Sequence, residues 1–326
     1  MKPCLSFLLA SILAMVIQAR TTLEADPNEV FEDWLFGLES EALEAGIRRD
    51  LLEDVLPDIE VIPRVIELDR NQPEGRLTFA EYLTRVVPKS RVNAGKRFLE
   101  ENRTLLVGVE SDYLVQLRFV VALWGIESDF GRFTGGFSVI NSLATLAYDG
   151  RRSSFFRSEL INALKILNLG EITNEEMLGS WAGAMGQCQF MPSSFHSFAE
   201  DYDNDGKRDI WNSQADVFAS IANYLHQSGW RFDQTWGRKV RLPQGFDTSA
   251  IGLKEIRPIG EWQEMGIRRN DGGELPGRQL AAAIVLPDGD GSTAYMVYDN
   301  FRNIMKWNRS VYFALAVGTL SDQLGK

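Results

Sequence analysis

Apolar residues recur every three or four positions through most of the chain, a spacing that places them on one side of an α-helix. The pattern predicts helices within residues 28–36, 40–52, 77–87, 91–104, 141–148, 151–167, 215–227 and 301–320. Between residues 238 and 298, short extended runs separated by Pro, Gly and Asp replace this spacing. We therefore expect a mainly α fold, with a helical domain over residues 26–237 and 299–326 and a small β-containing insertion over residues 238–298.

The most informative stretch runs from residue 119 to 131, where an apolar helical run meets a single carboxylic acid. Glu127 lies on the same helical face as Trp124, because residues three or four apart are neighbours on a helix. Ser111 or Asp112 is the predicted cap of this helix. Apolar surroundings and the negative end of the helix dipole favour the protonated acid, which can donate a proton to a leaving group. The alternative is a helix-terminal glutamate that reaches solvent.

Residues 180–194 combine glycines with polar side chains ahead of a helix that starts near a proline. Ser180, Gln187 and Gln189 carry hydroxyl and amide groups suited to sugar hydroxyl and acetamido groups. The alternative is a tight turn before a helix. Tyr224, near the apolar side of a later helix, could line a groove or fill the core.

An acidic loop follows, with aspartates alternating along residues 201–207 and closed by a glycine. Asp201, Asp203 and Asp205 match positions 1, 3 and 5 of a calcium loop, and residue 207 would supply a carbonyl. Position 12 is Asn212 rather than the usual Glu, so Asp209 or Asp216 would have to complete the shell. The alternative is a solvated acidic turn.

Composition narrows the chemistry. The 326 residues are 44% hydrophobic and 24% charged, as in ordinary folded proteins. A net charge of −11 without a long Lys/Arg cluster argues against nucleic acid or an anionic membrane as a partner. Two His and two Cys leave little material for a metal site of those residues or a Ser-His-Asp triad. We expect any chemistry to depend on carboxylates.

The N-terminus has the pattern of an export signal. Lys2 precedes an apolar run over residues 5–17, which is too short for a comfortable membrane span, and Ala19 offers a cleavage point. We expect residues 1–19 to be a signal peptide and the mature chain to be periplasmic, with no transmembrane segment. Cys4 precedes the apolar run and is badly placed for a lipid anchor, so we expect a soluble protein.

Several blocks, taken together, resemble the membrane-bound lytic murein transglycosylase B family of bacterial cell-wall enzymes. They are Gly125-Ile126-Glu127, Gly131-Arg132, Leu143-Ala144-Thr145-Leu146, residues 180–186 and 189–194, residues 201–206, residues 221–225, Gly229-Trp230 and Asn308-Arg309-Ser310. Their order and spacing hold over about residues 30 to 320. The resemblance implies a mostly α-helical, lysozyme-like domain with a small β-containing insert and a long saccharide groove.

The resemblance also implies roles for single residues. Glu127 corresponds to the sole catalytic acid and base. The implied glycan contacts are Ser180, Gln189, Tyr224 and Asn308. The implied ligands of a structural Ca²⁺ are Asp201, Asp203, Asp205, the Lys207 carbonyl and Asp216, and no cofactor is required for the chemistry.

Two positions depart from the family's pattern. Phe155 stands where a groove tyrosine is expected, so a hydrogen bond to the glycan would be missing there. Cys188 takes a position usually held by glycine, which could narrow the groove or expose a thiol.

The implied activity is cleavage of the β-1,4 bond between N-acetylmuramic acid and N-acetylglucosamine, leaving 1,6-anhydromuramyl ends. Ordinary glycosidases need two carboxylates, whereas here the substrate's own C6 hydroxyl would serve as the nucleophile. One alternative is a water-using muramidase in which Asp129 or another carboxylate activates water, although on a helix Asp129 would face away from Glu127. Another is a catalytically idle, peptidoglycan-binding scaffold, with cell-wall synthesis proteins as its partners.

Overall fold

The computed structural model describes residues 27–71 and 77–325. The predicted signal peptide lies outside these residues. The helices of the described part are α1 Pro27–Glu44, α2 Arg49–Val55, α3 Pro63–Arg70, α4 Phe79–Val86, α5 Lys89–Glu101, α6 Arg103–Tyr113, α7 Leu117–Ser128, α8 Val139–Tyr148, α9 Ser153–Leu169, α10 Pro192–Phe198, α11 Gln214–Gln227, α12 Ile259–Glu264, α13 Asp299–Trp307 and α14 Val311–Leu324. The prediction of a mainly α fold is confirmed.

Two small antiparallel sheets complete the architecture. The short strands β1 Phe137–Ser138 and β2 Leu178–Gly179 pair with each other. The larger sheet contains β3 Gly237–Arg241, β4 Arg257–Pro258, β5 Arg268–Arg269, β6 Ala281–Val285 and β7 Ala294–Val297, in the order β4-β6-β7-β3-β5. Its strands cover the segment where the hydrophobic pattern changes from helical spacing to short extended runs.

Helix α7 lies at the centre of the helical layer, packed against α14, α5, α11 and α6. Val120, Leu123 and Trp124 are at most 1% exposed, because the run from Phe119 to Gly125 is apolar throughout and buried among these helices. Burial on this scale stabilises by roughly 2 kcal/mol for each large side chain. A second buried cluster joins residues of α12, including Trp262, to residues of the larger sheet.

The predicted cap of the central helix is wrong. Ser111 and Asp112 lie inside α6, and the Asp112 carboxylate accepts a hydrogen bond from the Tyr202 hydroxyl at 2.6 Å. Helix α6 ends at Tyr113 and is capped by Leu114, whose φ of 54° is left-handed, and α7 then begins at Leu117. The pattern predicted one helix over residues 301–320, whereas α13 and α14 are separate and the Ser310 hydroxyl caps α14.

Among the described residues, no helix is both long enough and apolar enough to cross a membrane.

Candidate active site

Glu127 lies in the last turn of α7, where the chain turns sharply away from the helix. Asp129, Phe130 and Gly131 follow with φ values of 52°, 61° and 81°, so three consecutive residues are left-handed. Such a conformation is unfavourable for residues other than glycine and persists only where surrounding contacts enforce it. The turn ends the helix at Ser128, one residue after Glu127, and so holds the carboxyl near the helix end.

The Glu127 carboxyl is strongly perturbed. Burial raises its pKa from an ordinary 4.5 to about 8, and a hydrogen bond from Trp307 partly opposes this rise. The Trp307 indole N–H donates to Glu127 Oε1 at 2.6 Å. A carboxyl with this pKa stays largely protonated near neutral pH and can act as a general acid.

An aromatic cluster lies beside the carboxyl. The ring centroid of Trp307 is 4.6 Å from that of Tyr224 and 5.2 Å from that of Phe190, and Tyr224 is 4.4 Å from Phe198. Tyr224, half-buried on α11, thus belongs to the same cluster as the tryptophan that binds Glu127. Aromatic faces of this kind restrict water around the carboxyl.

Tyr82 on α4 is a further neighbour that sequence reasoning missed. Burial and, secondly, the negative charge of Glu127 raise the pKa of Tyr82. Its phenol therefore stays neutral over the physiological range. The sequence predicts only a helix within residues 77–87, and the proximity of Tyr82 to Glu127 depends on how α4 packs.

Ser180 and Gln189 lie in one loop, and their polar groups take part in local hydrogen bonds. The Ser180 hydroxyl accepts from the backbone N–H groups of Ala182 and Ala184, at 3.3 and 3.1 Å. Gln189 has a left-handed φ of 51°, and its amide N–H₂ donates to the carbonyls of Thr134 and Gly186 at 2.9 Å each. The bonds just described leave the Ser180 O–H as a donor and the Gln189 amide oxygen as an acceptor. Because both side chains are only half-buried, these groups are accessible to a ligand.

Gln187 and Cys188 differ from the sequence-based expectation. The Gln187 amide accepts from the Trp124 indole at 2.8 Å and donates to the Trp211 carbonyl at 2.7 Å, so it joins α7 to the next loop rather than facing sugar. Cys188 is fully buried, with its thiol donating to the Val217 carbonyl at 3.6 Å. Burial raises the pKa of this thiol well above its ordinary value. Of the two effects that the sequence left open for Cys188, a narrower groove or an exposed thiol, the exposed thiol is therefore wrong.

Asn308 and Phe155 are both exposed. Asn308 follows Trp307 directly, and its side-chain oxygen accepts from the Ser310 N–H at 3.1 Å, which places it at the junction of α13 and α14. Phe155 is 47% exposed in the first turn of α9, with its ring 5.1 Å from that of Phe156. The described contacts do not join Phe155 to the Glu127 cluster.

Asp129 is engaged by two arginines. Its carboxylate lies 3.0 Å from Arg91 Nε and 3.0 Å from Arg132 Nη2. Arg91 and Asp129 are both mostly buried, and charge-assisted hydrogen bonds of this kind hold the carboxylate in place. This arrangement leaves Asp129 poorly suited to activate water for Glu127.

The acidic loop forms a compact cluster. Side-chain oxygens of Asp201, Asp203 and Asp205 lie within 4.8 Å of one another. Gly206 has a φ of +93°, and the Asp201 carboxylate accepts from the N–H groups of residues 205 and 206 at 3.1 and 3.0 Å. Three converging carboxylates on a loop closed by glycine fit Ca²⁺, which prefers oxygen ligands.

Asp216, the fourth predicted carboxylate ligand, stands outside this cluster. It is fully buried, and its two oxygens accept from the N–H groups of Tyr202 and Asp209 at 2.8 Å each. Asp216 therefore joins the two ends of the acidic loop to the first turn of α11. In this arrangement its oxygens bind backbone N–H groups instead of converging with the other three aspartates.

The perturbed carboxyl gives a testable dependence of stability on pH. Because burial raises the Glu127 pKa from 4.5 to about 8, the folded state holds a proton that the unfolded state has lost between these values. Its contribution therefore favours folding at low pH and falls as pH rises, levelling off above about 8. Because glutamine does not titrate, the free energy of unfolding of Glu127→Gln should rise relative to that of the wild type as pH increases from about 5 to 8, by on the order of a few kcal/mol. Thermal melts of both proteins across this range measure the difference, and parallel curves would contradict the raised pKa.

Comparison with known proteins places these features in a family. The Transglycosylase SLT domain matches residues 30–322. The membrane-bound lytic murein transglycosylase B of Escherichia coli (strain K12) is 28% identical over 301 residues, which cover 85% of this chain and 78% of that protein.

Solved structures agree. SltB3 from Pseudomonas aeruginosa, in complex with NAG-anhNAM-pentapeptide, has a TM-score of 0.88 and 44% identity, covering 90% of this chain and 79% of SltB3. The Escherichia coli lytic transglycosylase SLT35, in complex with calcium, has a TM-score of 0.77 and 25% identity, covering 92% of this chain and 93% of SLT35. With a match that spans nearly the whole described chain, this protein belongs to the SLT family of lytic transglycosylases.

Proposed function

We propose that this chain cleaves the β-1,4 bond between N-acetylmuramic acid and N-acetylglucosamine in peptidoglycan and leaves 1,6-anhydromuramyl ends. The observation that carries the proposal is one partly buried carboxyl, Glu127, with a pKa of about 8, beside an Asp129 that is held by two arginines. One acid can serve as the whole catalytic apparatus only if the substrate supplies the nucleophile. Intramolecular attack by the sugar meets that requirement.

The proton route follows from this single group. Protonated Glu127 gives its proton to the glycosidic oxygen as the C1–O bond breaks, through an oxocarbenium-like state. Glu127, now a carboxylate, takes the proton of the muramyl C6 hydroxyl as its oxygen bonds to C1. The second step returns Glu127 to its starting form, and no water is consumed.

Water must be kept from C1 during the interval between these steps. The rings of Trp307, Tyr224 and Phe190 beside the carboxyl favour that exclusion. A water molecule in their place would give hydrolysed ends.

For glycan binding, the proposal assigns contacts to Ser180, Gln189, Tyr224, Asn308 and Phe155. Ser180 and Gln189 keep hydrogen-bonding capacity in a half-buried loop, and Tyr224 packs on the tryptophan that binds Glu127. Asn308 and Phe155 are exposed, as contacts to a long polymer require. Phe155 would supply an apolar face without a hydrogen bond.

The test of the function is the mass of products from purified sacculi. Anhydro ends are lighter by one water than hydrolysed ends, so mass spectrometry separates the proposed reaction from that of a muramidase. Absence of any turnover by a folded protein would favour the scaffold alternative. We expect only the lighter products.

We further propose that the acidic loop binds a structural Ca²⁺ through Asp201, Asp203, Asp205 and the Lys207 carbonyl. Without a cation, three carboxylates within 4.8 Å of one another repel. Asp216 would act by holding the loop's backbone, and its place as a direct ligand requires its oxygens to leave Tyr202 and Asp209. The chemistry assigned to Glu127 needs no cofactor.

Chelation should therefore lower thermal stability. At Ca²⁺ concentrations about a hundred times the Kd, the bound ion stabilises by about 2.7 kcal/mol, and its removal should lower Tm by on the order of 5 °C. Differential scanning calorimetry with and without a chelator measures this. The matched control is Asp203→Asn, which should melt lower in calcium and respond less to the chelator. A wild-type Tm that the chelator leaves unchanged would contradict a structural Ca²⁺ in this loop.

Placement in the periplasm fits a peptidoglycan substrate, and export by the signal at residues 1–19 belongs to the same proposal. We also propose that the chain is divided into two parts: a helical catalytic domain over residues 26–237 and 299–326, and a β-containing insertion over residues 238–298. The sheet of the insertion has its own buried cluster. The contacts of the described residues give no support to a cell-wall synthesis protein as a partner.

A further inference from the structure

Trp307 touches the reacting carboxyl directly, yet neither its sequence context nor its helix points to that contact. It is the last residue of α13, and its indole N–H donates to Glu127 Oε1 across 180 positions of the chain at 2.6 Å. Its ring packs against those of Tyr224 and Phe190, which also contact each other. The indole is therefore held in place by packing, so the hydrogen bond has a defined direction.

An indole N–H can only donate. Glu127 Oε1 must therefore accept in both protonation states of the acid, and a proton on Oε1 would compete with the indole N–H for the lone pairs of that oxygen. In a protonated carboxyl the carbonyl oxygen is the better acceptor, which leaves the proton on Oε2.

We infer that Trp307 is a positioning residue that assigns the transferable proton of Glu127 to Oε2, so that donation and retrieval both pass through that one oxygen. The inference deepens the proposed function and rests on it. With a single acid performing two successive transfers, the same oxygen must face the glycosidic oxygen first and the C6 hydroxyl afterwards. A carboxyl free to carry its proton on either oxygen would spend part of its time with the proton turned away.

Trp307 has a second effect between the two steps, when Glu127 is a buried carboxylate. Hydrogen bonds to charged groups are shorter and stronger than neutral ones, so the indole stabilises the carboxylate more than the acid. This agrees with the direction of its influence, which lowers the Glu127 pKa against the effect of burial.

The other titratable or charged groups near Glu127 do not supply this stabilisation. Tyr82 from α4 and Cys188 from the loop before α10 have raised pKa values and stay neutral. Asp129, on the turn after α7, is an acid that pairs with Arg91 from α5 and with Arg132. Among the described residues, the contact that favours the Glu127 carboxylate directly is that of Trp307.

The test is Trp307→Phe, which keeps an aromatic ring and removes the N–H. We expect the Glu127 pKa, followed by the ¹³C shift of its side-chain carboxyl, to rise by about one pH unit. The alkaline limb of kcat/KM should move up with it, while kcat near pH 6 falls by about 10- to 100-fold and KM changes less than about threefold. Trp262→Phe is the matched control, because its indole donates to the Ala282 carbonyl in the sheet cluster; neither the pKa nor the pH profile should move.

A tryptophan analogue at position 307 with sulfur in place of the N–H keeps both rings, and it replaces Trp307→Phe if that variant fails to fold. An unmoved Glu127 pKa and pH profile in either substitution would overturn the inference and leave Trp307 a packing role. The carboxyl titration requires no turnover. If the proposed function failed, the sacculi assay would therefore show it while the titration still decided the role of Trp307.

Discussion

Glu127→Gln should abolish cleavage of purified sacculi, with a fall in kcat of at least about 10³-fold, while the fold stays intact. General acid and general base catalysis each contribute about 10² to 10⁴ in rate, and here one carboxyl supplies both. Glutamine keeps the shape of the side chain and can still accept the Trp307 hydrogen bond, so packing is preserved. Turnover is measured by release of soluble fragments from sacculi, and folding by the thermal melt.

The matched control for this loss is Asp129→Asn, two residues along the chain. Asparagine tolerates the left-handed φ of 52° at this position, but it loses the charge that pairs with Arg91 and Arg132. We expect a modest loss of stability and retention of most activity, with products of unchanged mass. If Asp129→Asn lost as much activity as Glu127→Gln, a water-activating role for Asp129 would return. Activity retained by Glu127→Gln would place the acid elsewhere.

The residues of the site that could be predicted from the sequence are those whose surroundings depend on neighbours close by in the chain. The sequence singled out Glu127 as a candidate acid because helical spacing acts within a few residues and most of α7 is apolar; its catalytic role was implied by the family resemblance. The three aspartates of the acidic loop were found for the same reason, since alternating residues on a glycine-closed turn converge locally. In both cases the candidate residues and the neighbours that place them lie within one short segment of the sequence.

Residues whose roles depend on distant partners were missed or misassigned. Trp307 is 180 positions from the carboxyl to which it donates, and Gln187 is 63 positions from Trp124, whose indole N–H donates to it. The polar loop favoured Gln187 as a sugar ligand, whereas packing directs its amide to the Trp124 indole and the Trp211 carbonyl. Asp216 also matched a ligand pattern, and its role as a Ca²⁺ ligand stays a prediction; here its oxygens accept from the N–H groups of Tyr202 and Asp209, 14 and 7 positions away. The sequence carries no local signal for such directions.

The loop that carries Ser180 and Gln189 depends on one glycine. Gly135 has a φ of +99°, and a Cβ added there would lie 1.9 Å from the Gly179 carbonyl oxygen and 2.5 Å from the Ser180 nitrogen. Backbone atoms cannot move aside as a flexible side chain can. Only glycine permits the pairing of β1 with β2 at this distance, and the adjoining Thr134 carbonyl is an acceptor for the Gln189 amide.

Gly135→Ala should therefore be among the most destabilising single substitutions in the catalytic region. The left-handed φ costs about 1–2 kcal/mol, and forcing the two backbones apart costs about 1–3 kcal/mol more. We expect Tm to fall by on the order of 5–10 °C. Activity measured well below Tm should also fall, because the carbonyl that orients Gln189 moves with the strand.

The neighbouring glycine provides the control. A Cβ at Gly136 would meet nothing within 4 Å, so Gly136→Ala should stay within about 0.5 kcal/mol of the wild type. The two variants differ by one position and carry the same added methyl group, which isolates the close approach of the two backbones as the cause. Equal Tm values for both would mean that the contact between residues 135 and 179 does not hold the loop. A large fall in Tm with full activity would instead separate the stability of this turn from glycan binding by Gln189, and would argue that the loop reaches its working geometry without the β1–β2 pairing.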